Sequence, residues 1–439
     1  MRVGGWAWRQ APGRAARRLR GVRGWQRLSV GLLALVVLTQ AACGQQSIAM
    51  VNRLQSGSQA ISPALASAAQ LAQAQMAATR QHLLLVRAAD YYLARLSLDD
   101  QIGQMLLNEM DGTVYSPDMA VMVEQQHIGG MIVFGDNLVG TYDQARTLFA
   151  TIQAHAPIPL FIATDQEGGG ISRIGQFFGS FPSPRALGDS GSLQMTYNWG
   201  RQTAQDLQQL NINTNFAPVV DVSVNGGEPW SATRTFSEDP KVVATYATAS
   251  MNGERSVGEV TGLKHFPGLG SITEDPHLTL PVVTRSLDQL WSTELYPYKA
   301  MIATHPDMIM ATDIVMTAVD GNLPAELSPL WINGILRQQM GYQGVVITDA
   351  LWMKGIANTW DLGRAAVLSI LAGCDIMIAA YSAGASQGVI DAIKAAIASG
   401  QISPQRIAES VRRILMLKIQ YGMLPIPASI MAAQPVMNA

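Results

Sequence analysis

The chain has 439 residues, 32 acidic and 30 basic, for a net charge of −2, and its charged fraction of 14% falls well under the roughly 25% of ordinary soluble domains. Such a balance argues against a nucleic-acid binder, while 48% hydrophobic residues make the chain too apolar to be disordered. Two cysteines build neither a disulfide framework nor a cysteine-rich zinc site.

Charge is unevenly spread. The first 27 residues carry eight arginines and no acid, so the remainder has 22 basic and 32 acidic residues, a net −10. Residues 28–42 (LSVGLLALVVLTQAA) form a 15-residue apolar stretch, shorter than the ~20 that span a bilayer and of signal-peptide size. We read residues 1–42 as an export signal. Ala41 and Ala42 immediately precede Cys43, which resembles a bacterial lipoprotein cleavage site with Cys43 as the lipid-bearing residue, although Gln40 departs from that pattern. The expected location is extracytoplasmic, with a membrane anchor through Cys43. Cys374, in the apolar run LAGCDIMIAA, reads as a buried inert thiol.

Residues 43–95 read as a tether, rich in Gln, Ser and Ala, that turns helical toward its end. Ser97-Leu98-Asp99-Asp100 has the form of a helix cap and marks the start of the folded domain, expected over 96–425 with a tail at 426–439. Eight short apolar runs follow, at 104–107, 130–134, 160–164, 215–222, 262–266, 308–312, 344–348 and 375–379. Segments of helix length separate them, so the pattern predicts βα repetition around a buried parallel sheet. Eight units close into a single (β/α)8 TIM-type barrel. An open doubly wound sheet is the alternative. The last helix, 404–421, is amphipathic through Ile407, Val411, Ile414, Leu415 and Ile419, and Gly422 stops it.

In a barrel the reactive residues belong at the C-terminal ends of the strands. Four runs end in unusual polar residues: Asp165 and Glu167 after the third, Asp221 in the fourth, Lys264 and His265 in the fifth, and Asp349 after the seventh. Carboxylates mixed with Lys, His and Arg, without a phosphate loop, suit a neutral polyhydroxylated ligand. Gly168-Gly169-Gly170 and Gly226-Gly227 lack dinucleotide-fingerprint spacing and read as tight turns. A metal held by Asp165, Glu167 and His265 is disfavoured, because hard cations need more oxygen ligands.

These residues match a family. The segment K-H-F-P-G-L-G at 264–270, followed by Asp275-Pro276-His277, resembles the K-H-F-P-G-H-G-x(4)-D-x-H signature of family 3 glycoside hydrolases of the bacterial β-N-acetylglucosaminidase (β-N-acetylhexosaminidase) type. Residues 165–173 resemble its D-Q-E-G-G-x-x-x-R segment, 215–221 its N-x-A-P-V-x-D strand, and 234–240 its R-x-F-x-x-D-P turn. Residues 344–349 resemble the strand carrying the nucleophile, and 406–418 the closing helix.

The resemblance implies a retaining hydrolase that removes terminal β-linked N-acetylglucosamine from peptidoglycan- or chitin-derived oligosaccharides. Asp349 would be the nucleophile and form a glycosyl-enzyme; its position directly after an apolar strand suits that work. His277, oriented by Asp275, would be the acid/base, since an ordinary imidazole titrates near ~6.5 and both gives and takes a proton. Asp165, Arg173, Arg234, Lys264 and His265 would bind the sugar, with Asp221 and Glu167 holding the rim together. No cofactor and no metal are implied.

Three residues depart from the family pattern: Leu269 stands where histidine is usual, Pro276 splits the dyad, and Asp313 ends the sixth run where histidine is common. Alternative readings within the family are a β-glucosidase or xylosidase and a glycoside phosphorylase; the first commonly takes its acid from a second domain, and only 90 residues follow Asp349. A catalytically inactive glycan-binding lipoprotein is a third. Oligomeric state is not legible.

Overall fold

The computed structural model describes residues 63–224 and 232–432. The expected export signal, Cys43 and the Gly226-Gly227 pair lie outside them, as do the last seven residues of the tail. The chain divides into two compact units, one ending at Gln81 and the other beginning at His82, ahead of residue 96. Helix already runs from Pro63 to Leu93, because its Ala, Gln and Leu are strong helix formers. Within the second unit Leu85, Ala88 and Ala89 are buried, Arg412 Nε meets Asp90 at 2.6 Å, and Tyr92 donates to the Pro425 carbonyl.

Ser97 and Asp100 form a reciprocal capping box on the helix Leu98–Gln104, as the sequence predicts. Gln104 therefore closes a helix instead of opening a strand, and β1 spans Leu106–Glu109. The strands that follow are β2 (Gly130–Val133), β3 (Phe161–Thr164), β4 (Thr214–Asn215), β5 (Val260–Phe266), β6 (Val282–Val283), β7 (Met308–Ala311), β8 (Val315–Met316), β9 (Val345–Ala350) and β10 (Ile376–Ile378). Eight of them close a parallel barrel in the order β1-β2-β3-β4-β5-β7-β9-β10. This is the (β/α)8 architecture, and every expected apolar run contributes a strand. Helices such as Tyr142–His155, Leu193–Gln209, Pro240–Arg255, Leu362–Ala372 and Ala383–Ala398 provide the outer crossovers.

The fourth run is much shorter as a strand than the eight residues expected. Pro218 has no N–H to give the ladder, so regular pairing stops at Asn215. The chain still follows β5 through a bridge between Val219 and Lys264 and a 2.7 Å bond from Val220 N to Lys264 O. The pair β6 and β8 forms a separate two-stranded parallel sheet that two-residue strands give no periodic signal for. It ties the chain leaving the 267–281 loop to the chain leaving Asp313, aided by Val315 N to Pro281 O at 3.0 Å.

The strand-start end of the barrel is a polar plug. Lys418, from the helix Pro404–Gln420, is fully buried, donates to Gln104 Oε1 at 2.7 Å and to Gly129 O at 3.1 Å, and lies over the Phe161 ring. Asp375, just before β10, receives Arg337 at 2.6 Å, Arg413 at 2.9 Å and Ser410 at 2.6 Å. Burial would raise this carboxyl, but the arginines overcome it and hold it low. Cys374 beside it is free and buried, which pushes its thiol up and leaves it inert.

Candidate active site

The site residues expected from the sequence gather at the strand-end rim. Asp165 and Glu167 follow β3 on a segment pinned by Gln166: its N–H donates to Asn215 Oδ1 at 2.9 Å, its Nε2 to Ser172, and its Oε1 accepts from Ile174 N. The turn then passes through Gly168 and Gly169 at φ +92° and +59°. A Cβ on Gly168 would lie 2.2 Å from the Pro182 carbonyl, so glycine is required there on both counts.

Lys264, in β5, reaches across the rim and places Nζ 2.6 Å from Asp165 Oδ1 and 2.8 Å from Glu167 Oε1. The place between these carboxylates that a cation would take is thus held by an ammonium. Arg234 closes on the other side of Glu167, with Nε and Nη2 each at 2.7 Å. Glu167 is buried, and burial raises its carboxyl; the charges of Lys264 and then Arg234 outweigh that and hold it well below the usual range. Burial lowers the Lys264 amine, but Asp165 and Glu167 keep it above its ordinary value. Arg173 stands farther off, 3.9 Å from Asp165 Oδ2, with its guanidinium over the Phe134 ring.

His265 is buried beside this cluster. Asp221 accepts from its ring Nδ1 at 2.8 Å and from its backbone N–H at 3.2 Å, which assigns the ring proton to Nδ1. Arg234 Nη2 approaches Nε2 at 3.5 Å. Asp221 also accepts from Leu269 N at 2.8 Å. The Leu269 side chain is buried among apolar residues including Val222, Phe266 and Ile272, so the position of the usual histidine faces the core.

Asp349 lies in β9 opposite Thr312, which donates to its Oδ2 at 2.9 Å, while its own Oδ1 accepts from Ala350 N. Its backbone N–H donates to the buried Glu326 Oε2 at 2.9 Å. Asp313 is buried as well and shares Thr312, whose Oγ1 is 3.2 Å from Asp313 Oδ1. His277 and Asp275 pair as the sequence predicts, with ring Nδ1 2.7 Å and backbone N 2.9 Å from Asp275 Oδ1. Burial raises the Asp275 carboxyl, and the bonds from His277 together outweigh this and hold it low. The dyad remains open to solvent, with the two side chains 67% and 50% exposed. Asp275 is in electrostatic range of both Arg234 and Asp313, so its loop lies near both clusters.

The structure therefore joins Asp165, Arg173, Arg234, Lys264 and His265 in one network around Glu167 and Asp221. It sets Asp349 in a second network, with the His277–Asp275 pair on a separate loop. Sequence reasoning missed Thr312 and Glu326. Thr312 closes an apolar run and was legible as a strand end, whereas Glu326 sits in the short 3-10 turn Ala325–Leu327, which has no periodic signal.

Comparison with known proteins shows what the chain is similar to. Residues 97–417 match the family described as the glycosyl hydrolase family 3 N terminal domain. A β-hexosaminidase of Xylella fastidiosa (strain M23) is 32% identical over 283 residues, covering 63% of this chain and 83% of that protein. A secreted glycosyl hydrolase of Arthroderma benhamiae is 31% identical over 332 residues, covering 74% of this chain and 94% of that protein. Among solved structures, a family 3 β-N-acetylglucosaminidase from Paenibacillus sp. str. FPU-7 is similar with a TM-score of 0.71 and 33% identity, over 78% of this chain and 65% of that one.

Proposed function

The chain belongs to glycosyl hydrolase family 3, and on that footing we propose that it is a retaining β-N-acetylhexosaminidase that releases terminal N-acetylglucosamine from peptidoglycan- or chitin-derived oligosaccharides. Asp349 attacks the anomeric carbon as His277 passes its proton to the departing glycosidic oxygen, which breaks the sugar bond and leaves an ester on Asp349. His277 then takes a proton from water, the water oxygen adds to the same carbon, and the Asp349 carboxylate leaves. Asp275 occupies Nδ1, so Nε2 serves both transfers, and Asp275 stabilises the imidazolium present before the first and after the second. Asp165, Arg173, Arg234, Lys264 and His265 hold the sugar's hydroxyl and acetamido groups.

The observation that carries this reading is a carboxylate anchored on a barrel strand, Asp349 held by Thr312, together with a loop that presents an aspartate-bound histidine. The test is turnover of a chromogenic β-N-acetylglucosaminide. Asp349→Asn abolishes it and His277→Ala lowers kcat by about 10²-fold or more. With inorganic phosphate present, the product stays free N-acetylglucosamine. Sugar binding without turnover on any aryl glycoside overturns the reading in favour of a binding protein, and a sugar phosphate product in favour of a phosphorylase.

We also propose that the protein is exported and anchored by a lipid on Cys43. The arginine-rich start, the apolar stretch 28–42 and the small residues before Cys43 support it. Among the described residues no helix is long and apolar enough to cross a membrane. Incorporation of labelled palmitate by the wild type and its loss in Cys43→Ala is the expected result; equal label in both refutes it.

A further inference from the structure

Three carboxyl groups meet under the rim. Glu326 Oε2 accepts the Asp349 N–H at 2.9 Å, and Thr312 Oγ1 lies 2.9 Å from Asp349 Oδ2 and 3.2 Å from Asp313 Oδ1. Asp313 and Glu326 are fully buried, and Asp313 Oδ2 and Glu326 Oε1 have no hydrogen-bond partner among the described residues. Thr312 is shared between two carboxyl groups, and its shorter contact is to Asp349. A hydroxyl has one hydrogen; when it goes to Asp349, the contact with Asp313 is a hydrogen bond only if Asp313 supplies the hydrogen.

We propose that Asp313 and Glu326 are positioning residues for Asp349: two buried carboxylic acids that retain their protons, so that Asp349 alone of the three is negative, with Asp313 donating through Thr312 to the Asp349 carboxylate. This rests on the reading of Asp349 as nucleophile. Like charges this close in a buried site cannot all ionise. Burial first, and the charges of neighbouring carboxylates second, push both acids well above the usual carboxyl range.

The groups facing the pair are known from each element. Asp349 comes from β9, Asp275 from the dyad loop with His277 bound to it, and the Cys374 thiol donates to the Glu326 carbonyl at 3.4 Å. The charges that weigh most on both acids are other carboxylates. Asp313 Oδ2 rests against Gly355, where a Cβ would be 2.0 Å away. An acid held this way keeps the nucleophile's oxygens aimed without adding a competing charge.

Infrared spectroscopy of the whole chain at neutral pH, without substrate, reads the carbonyl stretch of a protonated carboxyl. The wild type shows it, and Asp313→Asn and Glu326→Gln each remove part of it. In kcat/KM against pH, Asp313→Asn replaces one neutral donor by another, so its acidic limb moves by less than about half a pH unit and kcat stays within about threefold. Asp313→Leu, which cannot donate, loses about tenfold or more in kcat with KM little changed. Two results overturn the proposal: a spectrum with no protonated-carboxyl band that these variants remove, or an acidic limb that falls by about a unit or more in Asp313→Asn, as loss of a fixed negative charge demands. Glu326→Gln carries the same test if Asp313 variants do not fold. A wild type inactive on N-acetylglucosaminides counts against the proposed function, while the infrared result still decides this point.

Discussion

Arg234 grips Glu167 through two parallel hydrogen bonds of 2.7 Å, Nε to Oε2 and Nη2 to Oε1. With Lys264 on the remaining side, Glu167 is the buried anion that lets two cations stand side by side. Removing one partner of such a group leaves the others uncompensated. Glu167→Ala is expected to destabilise the fold by about 3 kcal/mol and to raise KM more than it lowers kcat. The folded carboxyl is held low, so its stabilising contribution is present above the unfolded value near 4.5 and fades as pH falls below it. Denaturant titrations at pH 7 and pH 4 check this: the gap between wild type and variant narrows at the lower pH.

Leu269 occupies the family's histidine position, yet its side chain is packed in the core and only its N–H addresses the site, through Asp221. Leu269→His is expected to cost about 1–3 kcal/mol from the buried polar ring, with no gain in kcat/KM. Thermal midpoints and turnover on the chromogenic substrate check it. A more active variant means that the loop adopts another arrangement during the reaction.

Among the described residues Lys418 has no carboxylate beside it, and burial lowers its amine from the ordinary 10.5 to about 7. Between these values the unfolded chain holds a proton that the folded chain lacks, so stability from this residue rises with pH across that window. Lys418→Met is accordingly more stable than the wild type below pH 7, and its advantage shrinks by up to about 1.4 kcal/mol per pH unit above it. Urea midpoints of both proteins at pH 6.5 and 9 give the comparison. A constant gap contradicts it.

Gly355 leaves no room for a side chain: an added Cβ would meet Asp313 Oδ2 at 2.0 Å and the Pro276 carbonyl at 3.2 Å. Gly355→Ala is expected to displace Asp313 or the dyad loop and lower kcat by about 10²-fold while the barrel stays folded. Kinetics alongside far-UV circular dichroism separate the two effects.

The barrel was legible because buried parallel strands read as short apolar runs with helix-length spacing, and the rim because Asp165, Lys264, His265 and Asp349 end those runs. Local pairs were legible too: Ser97 with Asp100, and Asp275 with His277, are neighbours in the chain. What could not be read came from long-range contact. Glu326 meets Asp349 across 23 residues from a turn without periodicity, and Lys264 meets Asp165 across 99. The inward turn of Leu269 follows from its backbone bond to Asp221, 48 residues away, which its residue type does not disclose.

The proposed reaction depends on Asp349 forming the covalent link to the sugar. Incubation with a ring-fluorinated N-acetylglucosaminyl fluoride, which slows the second step, followed by proteolysis and mass spectrometry, tests this directly. The expected result is one sugar adduct on the peptide containing Asp349, absent from Asp349→Asn. An adduct on Asp165, Asp313 or any other residue, or steady turnover by Asp349→Asn, contradicts it.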